Sequence, residues 1–350
     1  MKTWVLAIFC SFGFAAFAAE EASAPPVPPQ LHEAVNALDA TQVQKAIDIL
    51  RTNFLSADDL DDDARQRALL EGLAIRLAPG VSIVPAASES KPKDILPFLA
   101  EIIDNRAGYI RPGALDADSL AQTDVALKNF TDKQMPATIL DLRAVPAGSE
   151  FDVAADFARR FTPKGKILFT IQKPNAKQER ILTSDMDPAF KGILIVLTDS
   201  DTLGAAEVLA ATLRQNAGAM IIGAETAGAA VEFSDFPLGS DQLLRVAVSR
   251  VSVPEAGSLF PDGVKPDISI SLPSDVQARL FELSREHGVS EYIFDKERPR
   301  MNEAALVANT NPEIGATEES ADEEAVPPRD TVLQRAMDIV TAITFYKKAK

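Results

Sequence analysis

The stretch that decides the fold runs from Ile193 to Val231 and reads ILIVLTDSDTLGAAEVLAATLRQNAGAMIIGAETAGAAV. Its first five residues, Ile193 to Leu197, are apolar and rich in β-branched side chains, as in a strand buried on both faces. Thr198 to Thr202 supply turn and cap chemistry, and from Leu203 the apolar positions (Leu203, Ala206, Val208, Leu209, Leu213) take helical spacing. The helix ends at Asn216 to Gly218, a second buried strand covers Ala219 to Ile222, and a glycine-rich turn runs from Gly223 to Gly228. This order predicts a strand, a crossover helix and a parallel strand. Such a unit places a helix N-terminus at the carboxyl edge of a sheet, where anions and developing oxyanions are best met.

Working outward, three further motifs stand in order around this unit: Gly108-Tyr109-Ile110-Arg111, Leu140-Asp141-Leu142-Arg143, and Pro261 to Ile268 (PDGVKPDI). With Val196, Leu197, Glu207, Val208, Ala210, Ala211, Leu213, Asn216, Gly223, Thr226 and Gly228, they resemble the S41 serine peptidases, the tail-specific or C-terminal processing proteases. The resemblance covers about residues 55 to 275. It implies an α/β, S41 peptidase-like core of the ClpP/crotonase-like kind. The sheet would be mixed and largely parallel with crossover helices, and N-terminal and C-terminal helices would be added to it.

The resemblance also implies where the chemistry should sit, and there this sequence departs from the family. Members carry a serine nucleophile in the helix-capping turn and a lysine general base in the following glycine-rich loop, because a hydroxyl attacks poorly until a base takes its proton. Counted from Glu207, the nucleophile position is Gly204; counted from Thr226 and Gly228, the lysine position is Ala229. No Lys, His or Cys occurs from Gly192 to Val264, and the two histidines, His32 and His287, lie outside the matching core. No catalytic residue is expected on this reading. The fallback nucleophile is Ser200, with Thr202 beside it and Glu207, Glu225 or Asp201 as the base; these hydroxyls are better explained as helix caps. The family's oxyanion donors map onto the turn Arg143 to Ser149, at Gly148, and onto the N–H of Ala205. With Leu203, they form the expected substrate-binding group, since backbone donors survive a change of side chain.

The rest of the chain frames this core. Of 350 residues, 46% are hydrophobic and 25% charged, ordinary values for a globular protein. Residues 1–19 read as a secretory signal, with Lys2, an apolar run from Trp4 to Phe17 and the small-x-small site Ala16-Phe17-Ala18. Export to the periplasm or beyond the cell is therefore expected, with no membrane span in the mature chain. Beyond Lys2, 34 basic residues stand against 51 acidic ones, a net of −17, which argues against nucleic acid as a partner. Cys10 falls within the signal, so the remainder has no thiol. No metal-ligand cluster and no phosphate-binding glycine signature is present, so no metal and no cofactor are expected.

Residues 20–30 are a proline-rich linker. Residues 31–79 are a helical region, with one amphipathic helix over Leu31 to Leu50 and a second over Asp61 to Arg76 whose acidic start complements the helix dipole. Only about 25 residues separate Gly80 from Gly108, too few for the family's PDZ domain. The core domain is placed at residues 95–275, with its sheet beginning at Gly108. Pro174 to Leu182 is read as a polar connection, and Leu243 to Ser252 as a single alternating antiparallel strand. Then come a helical extension (276–310), an acidic disordered linker (311–329) and a C-terminal amphipathic helix (330–350) whose stripe runs through Val332, Leu333, Ala336, Ile339, Val340, Ile343 and Phe345.

Two functions fit these readings. One is an exported pseudopeptidase that binds a peptide or protein partner without cutting it; the other is an active serine-type endopeptidase with a displaced nucleophile. A third, purely structural reading requires side chains to fill the groove, with Phe233 the residue to watch.

Overall fold

The computed structural model describes residues 34–53, 61–86, 95–173, 179–293 and 328–348. The expected signal, the proline-rich linker and residues 294–327, which hold most of the acidic linker, lie outside them. The chain divides into two compact units, residues 1–73 and 74–350.

In the first unit, helix α1 spans Ala40–Asn53, and helix α2, Asp62–Leu77, begins there and crosses the boundary. The single helix expected over Leu31 to Leu50 is interrupted: residues 34–36 are helical, and the chain restarts at a reciprocal cap. Asp39 N donates to Gln42 Oε1 at 2.9 Å and Gln42 N to Asp39 Oδ1 at 2.8 Å, satisfying donors that a helix start leaves open. The acidic run before α2 does the same, as Asp61 Oδ1 accepts from Ala64 N at 2.7 Å.

The second unit is organised on a six-stranded sheet. Its strands are β2 (Leu99–Ile103), β3 (Ala107–Arg111), β4 (Ala137–Asp141), β7 (Ile193–Thr198), β8 (Met220–Gly223) and β13 (Ile268–Ser269). Their spatial order is β13-β8-β7-β4-β3-β2, parallel throughout except for β2, which pairs antiparallel with β3 at the edge. The sheet thus begins one strand earlier than Gly108. Pro266 falls just before β13, an edge strand, where a missing N–H costs no ladder bond.

Successive residues of these strands feed two cores, as period-two geometry requires. Ile110, Leu140, Val196 and Ile221 face one side, packing with α3 (Ala117–Asp132), α4 (Phe151–Arg159) and α5 (Ala205–Ala217). Tyr109, Ile139, Ile195, Leu197 and Ile222 face the other. There they meet Val332, Leu333, Ala336, Met337 and Val340 of α7 (Thr331–Lys348), so the C-terminal stripe is buried within its own chain. The stripe stops short of Phe345, which is 76% exposed. Helix α6 (Ser274–His287) lies between β13 and α7 in sequence and adds Leu280 to the buried residues.

Two smaller sheets flank this layer. One is β12-β11-β5-β6, formed by Gly257–Ser258, Arg250–Val253, Ile167–Gln172 and Arg180–Thr183; the other is β1-β10-β9, formed by Val81–Pro85, Gln242–Ala247 and Phe233–Pro237. Two expectations are corrected here. The stretch Leu243 to Ser252 is two strands, because the chain leaves one sheet after Ala247 and enters the other at Arg250, with Ser249 Oγ accepting from Glu232 N at 3.1 Å at the crossing. The region read as a polar connection ends in strand β6, whose apolar content is low because it is an edge strand with a burial pattern that is mostly exposed.

Candidate functional site

Strands β4, β7 and β8 are neighbours and parallel, so the loops after them leave the sheet at one carboxyl edge. Ligands of open α/β sheets bind there. The loop after β4 carries Gly148, exposed and at φ +96°. The loop after β7 carries Ser200 to Gly204 and leads into α5. The loop after β8 starts at Gly223, whose backbone lies so close to β7 that a Cβ would meet Thr198 O at 1.9 Å.

Glu207 ties the second and third loops together. Its side chain is fully buried, and each carboxylate oxygen accepts two hydrogen bonds. Oε2 takes Gly204 N at 2.8 Å and Ala229 N at 2.7 Å, while Oε1 takes Thr226 Oγ1 at 2.5 Å and Gly228 N at 2.6 Å. Thr226 Oγ1 in turn accepts from Val264 N at 2.8 Å, which brings in the PDGVKPDI segment. With four donors on it, this carboxylate is occupied in holding backbone rather than open to a substrate proton. A sequence signal for it exists: glutamate three residues after a helix cap is the second half of a capping box.

Gly204 and Ala229 are therefore side by side, bonded to the same oxygen. Gly204 has φ +59° and ψ −117°, a conformation L-residues rarely take, and a Cβ built on it would find only Ala229 O within 4 Å, at 3.8 Å. The next residue, Ala205, opens α5, where the first N–H groups of a helix have no intrahelical acceptor. Leu203 is half-buried beside it.

The fallback hydroxyls differ in their surroundings. Thr202 is fully buried; its Oγ1 donates to Asp199 Oδ1 at 2.8 Å and accepts from Asp199 N at 3.0 Å, the bonding of a cap. Asp199 also takes Asp201 N at 3.1 Å and Gln277 Nε2 at 2.6 Å. Burial raises its carboxyl above the usual range, against the bonds from Thr202 and Gln277. Ser200 is exposed, and among the described residues no side chain hydrogen-bonds to its hydroxyl. Asp201 is exposed, and Glu225 faces Lys265 at 3.9 Å on the surface. Phe233 is 38% exposed at the start of β9, so its ring is not a buried plug.

Behind the β4 loop lies a second cluster that sequence reasoning did not assemble. Arg143 donates to Asp141 through Nε at 2.9 Å and Nη2 at 2.7 Å, and to Asp330 through Nη1 at 3.1 Å and Nη2 at 2.8 Å. Tyr109 OH completes it, donating to Asp141 Oδ2 at 2.8 Å. Burial pushes Asp141 upward, but the Arg143 guanidinium beside it wins and holds its carboxyl below the usual value. Burial and the Asp141 charge together push the Tyr109 hydroxyl well up. Asp330 also caps α7, accepting from Leu333 N at 2.9 Å, and the Phe281 ring of α6 stacks under Arg143 at 5.4 Å and Arg111 at 5.1 Å.

Residues 106–270, the span holding all of these loops, match the family model of peptidase family S41. Over these residues the chain is similar to peptidase family S41. Among curated relatives, the S41 core is similar to the carboxyl-terminal-processing protease of Synechocystis sp., 28% identical over 195 residues, 52% of this chain and 45% of that protein. It is also similar to the chloroplastic carboxyl-terminal-processing peptidase 1 of Arabidopsis thaliana, 25% identical over 192 residues, 53% of this chain and 39% of that one. The chain thus spans less than half the length of these relatives. A solved structure of a candidate peptidase from Parabacteroides merdae shares the S41 fold, with a TM-score of 0.51 at 14% identity, over 69% of this chain and 85% of that one.

Proposed function

We propose that this chain is an exported S41-type protein that holds a peptide or a segment of a partner protein at the carboxyl edge of its sheet without cutting it. The observation that carries the reading is the shared oxygen of Glu207. It sets Gly204 and Ala229 side by side; counting along the motifs assigns these two to the family's nucleophile and base, and they offer a hydrogen and a methyl group. Neither attacks a carbonyl or takes a proton. The backbone arrangement that would meet a peptide carbonyl does not depend on those side chains, and an extended peptide gains main-chain pairing that needs no catalytic residue. Export rests on the signal-like residues 1–19; no helix among the described residues is long and apolar enough to cross a membrane.

The test uses the chain from residue 20 onward, an unfolded protein substrate and a serine-reactive fluorophosphonate probe, alongside a Gly204→Ser, Ala229→Lys double variant. The native chain is expected neither to cut nor to be labelled. Serine at the φ of Gly204 costs about 1–3 kcal/mol, so thermal melting must first show that the double variant is folded. Cleavage by the native chain would overturn the proposal in favour of a displaced nucleophile. Mapping the label would then separate Ser200 from Thr202, whose hydroxyl already has Asp199 within hydrogen-bond reach.

A further inference from the structure

A groove of about 350 Å³ opens beside the Ala229 loop, in the size range of small-ligand and side-chain pockets. Val231, two residues on from Ala229 and tied back to it by Val231 N donating to Ala229 O at 2.8 Å, forms one wall. Ala247, Val248 and Phe260 continue the apolar lining, and Gln172, Ser249 and Arg250 stand at the polar side. The groove exists because the chain crosses between two sheets here: β10 ends at Ala247, β11 begins at Arg250, and neither ladder covers the gap. Phe260 precedes Pro261, whose carbonyl lies against Gly228, so the lining is continuous with the glycine loop that Glu207 holds.

The charges around the groove are unequal. Glu232 is answered by Lys173 at 3.0 Å. Arg250 is exposed opposite Gln172 in the ladder, and among the described residues its guanidinium meets no carboxylate. In a chain with 51 acidic and 35 basic residues, an arginine without an acidic partner at the rim of an apolar groove favours an anionic ligand group.

We propose that this groove is a specificity subsite for an apolar side chain followed by a carboxylate in a bound peptide. The apolar group packs on Val231, Ala247, Val248 and Phe260, and the carboxylate pairs with Arg250. This rests on the peptide-binding reading above and adds to it which peptides are held.

Fluorescence anisotropy with labelled eight-residue peptides, identical except for Leu-Asp, Leu-Asn or Leu-Lys at the centre, tests it on the chain from residue 20 onward. The Leu-Asp peptide should bind about three-fold to five-fold tighter than Leu-Asn, the size expected of one exposed ion pair, and the ratio should shrink with added salt. Arg250→Gln should abolish the ratio, and Arg250→Glu should turn it toward Leu-Lys; Arg250 is exposed, so both variants should keep the native melting temperature. A ratio near one in the native chain, or one that survives Arg250→Gln, overturns the subsite while leaving peptide binding standing. If none of the peptides binds, the subsite falls together with the peptide-binding reading, a result distinct from binding without acid preference.

Discussion

Glu207 and Arg143 are both buried ions near the carboxyl edge of the same sheet, but they are neutralised in opposite ways. Glu207 is surrounded by three backbone N–H groups and one hydroxyl, with no cation among its hydrogen-bond partners. Arg143 sits between two carboxylates drawn from β4 and from the start of α7, 187 residues away. The first arrangement takes three of its four donors from backbone, so its bonds do not call on side chains at 204 or 229. The second depends on side chains from distant segments, and the identity of each one matters. On the proposed reading, this contrast is how the fold would keep its loops in place without a serine at 204 or a lysine at 229.

The comparison can be broken most directly at Arg143. Replacing it with methionine leaves Asp141 and Asp330 buried without their cation, and urea unfolding should show a loss of about 3–5 kcal/mol. A loss under about 1 kcal/mol would mean the cluster is wetter than its burial indicates. Glu207→Gln should cost less, about 1.5–3 kcal/mol, because an amide keeps one acceptor but turns its NH2 toward backbone donors. Amide hydrogen exchange should then quicken at Gly228 and Ala229, with little change in α7.

The smallest effect separates the clusters by pH. Asp141 titrates lower in the folded chain than when unfolded, so between those two values the unfolded chain binds more protons. Its contribution is therefore present above the ordinary carboxylate pKa and is lost as pH falls through the folded value. Stability measured between pH 6 and pH 3 should decline less steeply in Asp141→Asn than in the native chain; equal slopes would remove Asp141 as a source of acid sensitivity.

Much of this was legible along the chain. The β7, α5 and β8 unit announces itself because each piece is a local apolar pattern bounded by its own caps, and Gly218, at φ +65°, closes α5 where expected. The positions of Gly204 and Ala229 also follow from counting, since no insertion interrupts the motifs. The junction at Val248 and Ser249 was hidden because alternation continues through it; only pairing with β5 on one side and β9 on the other divides the strands. Edge strands β2 and β6 were hidden for the opposite reason, being short and half-exposed.

By itself, then, the sequence determined the parallel core and its helix-capped turn, because these are written in residues close together and in local periodicity. Only the tertiary structure decided that Glu207 binds both altered positions with one oxygen, that Asp330 meets Arg143, and that a groove opens where two sheets part. Apart from the capping bond between Gly204 and Glu207, those hydrogen bonds join residues from 22 to 187 positions apart, and which groups meet across such distances is set by the packing of whole elements rather than by any pattern along the chain.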